Sequence, residues 1–206
     1  IILDGDLGPD PCDFATLAMA HILHRQGIIE LKGVVGTLPE PYLVPALDYF
    51  RRYYENATIP VGVFKPSLDE RFEIDKMAAL YFFDFDPSLR NLLGYTILSW
   101  IALSNKELVI SLVNDNLYSR WPATRILHDL YSKRYGSEPL KYENAVDGAE
   151  LYKQILKDAA DNSITLLVVG QLYNLNNLLK SSDGKELVNR KVKKIIMMIG
   201  SFECKA

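Results

Sequence analysis

The sequence predicts an α/β fold, a largely parallel, Rossmann-like sheet flanked by helices. Two observations predict it. Short apolar runs of strand length alternate with longer segments whose apolar residues recur at helical spacing. Helix start and stop residues also fall between the two kinds of segment. Strands alternating with helices favour parallel pairing through right-handed crossovers.

Ile1-Ile2-Leu3 reads as the first strand, and a loop runs from Asp4 to Asp13. Phe14, Leu17, Ala18 and Ile22 then mark a helix over 14–26, with Asp13 as N-cap and Gly27 as its stop. A strand over 31–36, a helix over 41–55 and a strand over 59–63 follow. Residues 64–142 are rich in aromatics and lack clean alternation, with helices expected near 76–83 and 121–135. A helix over 145–160, a strand over 164–169, a helix over 172–179 and a strand over 192–198 complete the pattern. The chain is expected to be one domain over 1–206, without repeats or low-complexity segments. Both ends are abrupt, which leads us to expect a natural protein that continues beyond Ala206.

Composition bounds the partners. The chain has 206 residues, 49% of them hydrophobic and 24% charged, enough to bury a sizeable core. A net charge of −3 offers no electrostatic grip on nucleic acid. No apolar run approaches the ~20 residues of a membrane helix. Two cysteines, Cys12 and Cys204, make no disulfide framework, although a single bridge stays open. A homo-oligomer is also left open. The compartment is left open too: cytoplasmic, or secreted or periplasmic if an upstream signal has been removed.

In open α/β sheets ligands bind outside the carboxyl ends of the strands. That singles out the loop 4–13 and the turn Val169-Gly170-Gln171. The first holds Asp4, Asp6, Asp10 and Asp13 among Gly5, Gly8, Pro9 and Pro11. Carboxylates gathered in a crevice repel one another, and a hard cation with oxygen ligands relieves that repulsion. Spacing alone leaves two readings open, a metal site and an Asp-rich turn with a plain helix cap. It is neither an EF-hand loop nor a dinucleotide fingerprint.

Ile1-Ile2-Leu3-Asp4-Gly5-Asp6, a glycine-containing loop, and an aspartate opening an apolar helix together resemble the N-terminal signature of nucleoside hydrolases. Gly33-Val34-Val35, Asn56 to Gly62, Ile164 to Leu178 with its Gly-x-Leu-x-Asn-Leu pattern, and Lys194 to Gly200 resemble further family segments in the family order. Residues 66–140 are not matched. The resemblance implies the nucleoside hydrolase fold, with its last third missing from this chain. It also implies a hydrolase that cleaves the N-glycosidic bond of ribonucleosides with a calcium-activated water, through an oxocarbenium-like state. By the same resemblance Asp6 is general base and calcium ligand, Asp13 and the Val169 carbonyl are further calcium ligands, and Asp4 and Asp10 support the loop. Cys12, Glu40 and Met198 occupy places expected to bind the nucleoside.

Three departures stand against that pattern. Cys12-Asp13 takes the place of a paired Asp-Asp, and a thiol is a weak hydrogen-bond partner. An ungapped alignment would instead pair Asp10 with the first acid and leave Pro11 at the second. Glu40 stands where an asparagine contacts substrate, and a solvated loop glutamate is an equal reading. Finally, the family's later ligands lie beyond Ala206. His21, His24 and His128 fall on apparent helices away from both loops and read as surface or core residues. Two alternatives therefore accompany the hydrolase, a catalytically weakened homologue that binds a ribosyl ligand or calcium, and a magnesium-dependent phosphohydrolase with an Asp-x-Asp start.

Overall fold

A computed structural model describes residues 1–7, 11–73 and 122–199. The chain divides into two compact units, one formed by Ile1–Lys65 with Ala123–Ala206 and the other by Pro66–Pro122. The described part of the second opens a helix at residue 68 behind a capping box. Ser67 Oγ accepts from the Glu70 amide at 3.3 Å, and Glu70 Oε2 accepts from the Ser67 amide at 2.9 Å. The helix expected over 76–83 lies outside the described residues.

Among its described residues the first unit carries six strands: β1 (Ile2–Gly5), β2 (Gly33–Gly36), β3 (Val61–Val63), β4 (Val146–Asp147), β5 (Ile164–Val168) and β6 (Val192–Met197). Among the described residues six α-helices accompany them: α1 (Cys12–Arg25), α2 (Leu43–Tyr53), α3 (Pro122–Tyr135, whose first residue falls in the second unit), α4 (Gly148–Asp158), α5 (Tyr173–Lys180) and α6 (Gly184–Lys191). Every strand pairing is parallel, in the order β4-β3-β2-β1-β5-β6. The architecture is α/β and Rossmann-like, as the alternation predicts. The chain steps outward from β1 to β4 on one side, then returns with β5 to the other side of β1. Connections leave β1 and β5 in opposite directions, so a crevice opens at their carboxyl ends.

A core forms where β1 and β5 pack on α4 and α5, from Ile2, Leu166, Val168, Leu151, Leu156 and Leu178. No helix among the described residues is long and apolar enough to cross a membrane.

Several boundaries differ from expectation. The helix α1 starts at Cys12 with Pro11 as N-cap, so Asp13 lies in its first turn and is not the N-cap residue. Its carboxylate instead reaches across the loop to the Asp6 amide. The segment 145–160 begins with the two-residue strand β4, too short to show a period. Asp147 then caps α4, with Oδ1 accepting from the Glu150 amide at 3.1 Å. The eight-residue helix α6 was not expected. The last strand reads as buried, yet β6 is largely exposed, with Ile195, Ile196 and Met197 open to solvent. It pairs with β5 on one side only among the described residues.

On α1, His21 is wholly buried, with Nδ1 3.1 Å from Asn56 Nδ2 and its ring stacked on Tyr54. The amide can only donate, so Nδ1 is the acceptor and the ring is neutral. Burial, then the nearby His24 and Arg51, pull its pKa from 6.5 down to about 4. The unfolded chain therefore takes up this proton first, and stability complete above pH 6.5 is lost as pH falls toward 4. His21→Gln keeps an acceptor without the titration. In urea unfolding from pH 7 to 4.5 the wild type should lose up to about 1.4 kcal/mol more per pH unit than this variant. Parallel pH profiles would contradict the assignment.

Candidate functional site

The carboxyl ends of β1, β2 and β5 meet at the crevice. Asp4 is the fourth residue of the chain, in register with Val35 on one side and Val168 on the other. Its carboxylate is 0% exposed. Oδ2 accepts from Tyr152 Oη on α4 at 2.8 Å, and Oδ1 accepts from Asn174 Nδ2 on α5 at 3.2 Å. Asn174 Nδ2 also donates to the Gly36 carbonyl at the end of β2, at 3.1 Å. Burial raises the Asp4 pKa from 3.8 to about 7. The Tyr152 and Asn174 hydrogen bonds pull against that rise, and the charge on Asp6 adds to it.

Beyond Gly5 the backbone turns out of the sheet. The Val169 amide donates to the Asp4 carbonyl at 2.8 Å, and the Thr37 amide to the Gly5 carbonyl at 3.0 Å. The Asp6 amide donates to Asp13 Oδ2 at 3.3 Å. Asp6 is half-buried and Asp13 is 3% exposed. Leu7 follows with φ at +48°, a left-handed conformation that costs a leucine on the order of 1 kcal/mol. Its side chain is buried and lines, with Leu17, Leu47 and Asp13, an apolar hollow.

The β5 loop crosses close over the β1 loop. A Cβ on Gly170 would lie 2.5 Å from Thr37 Oγ1, 2.8 Å from the Asp6 nitrogen and 3.0 Å from the Gly5 carbonyl carbon. Two of these atoms are backbone and cannot swing away. Thr37 is fully buried, and its hydroxyl donates to Gln171 Oε1 at 3.2 Å.

Thus Asp4, Asp6, Asp13 and Val169 come together at one sheet edge. Asp10 lies outside the described residues. Cys12 is exposed at the start of α1. Met198 is 55% exposed just past β6, and its amide donates to the Val168 carbonyl at 2.9 Å. Glu40 corrects one of its two readings, because it is 1% exposed and therefore no solvated loop residue. Its Oε1 accepts from the Tyr42 amide at 2.9 Å, at the entry to α2. His21, His24 and His128 all lie on helices, with His24 Nδ1 accepting from the Leu31 amide.

Sequence reasoning gave no role to Tyr152, Asn174 or Thr37. Asn174 does sit in the segment Gly170 to Leu175, but its partners are distant in sequence. Oxygen donors alone suit a hard cation. Among the described residues, no three His, Cys, Asp or Glu side chains are grouped to hold a metal. Asp6 and Asp13 bring two carboxylates to this edge, near Val169. Comparison with family models, curated proteins and solved structures found no match.

Gly170→Ala tests the loop crossing. Overpacking against backbone should cost about 1–3 kcal/mol in urea unfolding, with the denaturant slope unchanged. A loss under about 0.5 kcal/mol, the range of ordinary surface changes, would show that the loops do not touch.

Proposed function

We propose that the chain is an N-glycosidase that hydrolyses ribonucleosides at the carboxyl ends of β1 and β5. The observation that carries this reading is the pairing of Asp6 with Asp13 at the strand-order reversal, beside Val169. The half-buried Asp6 carboxylate suits a general base that takes a proton from water. Water adds to the anomeric carbon, the C–N bond breaks, and the departing base keeps the electron pair and takes up a proton. Asp13 and the Val169 carbonyl join Asp6 as candidate ligands for calcium. When bound, the ion would orient the attacking water and lower its pKa.

The weakened-homologue reading has its own support. Cys12 offers a thiol in place of an acid, and Glu40 is buried with Oε1 engaged by the Tyr42 amide. The magnesium phosphohydrolase finds less. Its nucleophile would be Asp4, whose carboxylate is buried with both oxygens accepting hydrogen bonds.

Release of free ribose from a panel of nucleosides separates these readings. The expected result is calcium-dependent release that a chelator abolishes and Asp6→Asn lowers by about 10²-fold or more. Cys12→Asp should raise release by about 10- to 150-fold, the value of a charge-assisted hydrogen bond of about 1.5–3 kcal/mol. The gain should appear only with calcium present, because the substitution adds a negative charge next to Asp13. Release in neither protein would favour the binding-only reading. Strong wild-type release destroyed by Cys12→Asp would overturn the role given to Cys12.

A further inference from the structure

We propose that Asn174 is the positioning residue of this site, a clamp that sets the β1 and β5 loops against each other. One carboxamide nitrogen serves two strands. It donates to Asp4 Oδ1 on β1 and to the Gly36 carbonyl on β2. Both its hydrogens are thereby used, and both partners lie at the carboxyl edge. The amide cannot be turned around. Reversed, its oxygen would face the Gly36 carbonyl oxygen with no hydrogen between them, and the ionised Asp4 carboxylate as well.

Packing holds the same orientation. Asn174 Oδ1 lies over Gly148 at the start of α4, where a Cβ would overlap it. Tyr152, one turn further along α4, donates to the other oxygen of Asp4. Thus α4 and α5 grip a single carboxylate from two directions.

The clamp acts on both loops. Asn174 is five residues beyond Val169, in the first turn of α5, so fixing it fixes the short connection that bears the Val169 carbonyl. Asp4 is two residues before Asp6, and its own carbonyl accepts from the Val169 amide. Displacing Asp4 shifts the Asp6 backbone that Asp13 holds. Asn174 thereby aims the Asp6 carboxylate and the Val169 carbonyl without touching a ligand. Only the naming of those two as working groups rests on the glycosidase reading.

Amide hydrogen exchange on the full chain tests the clamp without substrate. Asn174→Asp keeps the shape and removes both donors. The amides of Asp6, Thr37 and Val169 should then exchange about tenfold or more faster relative to Leu166 in the middle of β5, a local opening and not a global one. Asn174→Ala should do the same if the aspartate variant does not fold. Gly148→Ala, which keeps the carboxamide but displaces it, should give a smaller change of the same pattern. Leu178→Ala, a core lesion on the same helix, should speed all these amides together. The clamp is overturned if the Asn174 variants accelerate Asp6 and Val169 no more than Leu166. A wild type that releases no ribose would overturn the glycosidase reading, while the exchange comparison decides Asn174 by itself.

Discussion

The burial of the Asp4 carboxylate is the constraint on which the carboxyl edge depends. Removing a carboxylate from water costs several kcal/mol even after relaxation. Two hydrogen bonds to a charged group return on the order of 1.5–3 kcal/mol each, enough to offset that cost only if both are well made. Tyr152 and Asn174 make them, from two different helices. The pull of burial still exceeds theirs, since the carboxyl is pushed up to about 7. A raised pKa means that the folded state holds this proton better than the unfolded chain. The group's contribution is full below pH 3.8 and is lost as pH rises through 7. It is opposite in sign to that of His21.

The strand order turns this anchor into a site. Because β1 has β2 on one side and β5 on the other, its end is fixed by both neighbours. The residues just beyond are freed to leave the sheet. Gly170 permits the backbones to approach, Leu7 lines the apolar hollow, and Asp6 stays half-buried. Asp13 turns from its own helix to accept the Asp6 amide. The result ties the Asp13 carboxylate to the backbone of the β1 loop.

Much of this frame was legible in the sequence. The alternation of apolar strand and amphipathic helix gave the parallel sheet, and the placement of Asp4–Asp13 and Val169 after strands gave the edge they share. What escaped was long-range. The partners of Asp4 are 148 and 170 residues away, and no local pattern marks a tyrosine or an asparagine as the partner of a buried acid. Exposure of β6 escaped because an apolar run reads alike in the centre of a sheet and at its edge. Glu40, flanked by Pro39 and Pro41, looks like a surface loop, and its burial follows from the entry to α2. Asp13 looked like a cap because it precedes an apolar helix, whereas its bond runs back across the loop.

The proposed function requires that this edge bind a hard cation, for which Asp6, Asp13 and the Val169 carbonyl are the proposed ligands. A calcium titration followed by amide NMR shifts of the full chain tests it most directly. Saturable shifts are expected at residues 5–7, 12–13 and 169–171, below about 10 mM calcium, weaker with magnesium and lost in Asp6→Asn. Shifts that are absent there, or that persist unchanged in Asp6→Asn, would contradict it.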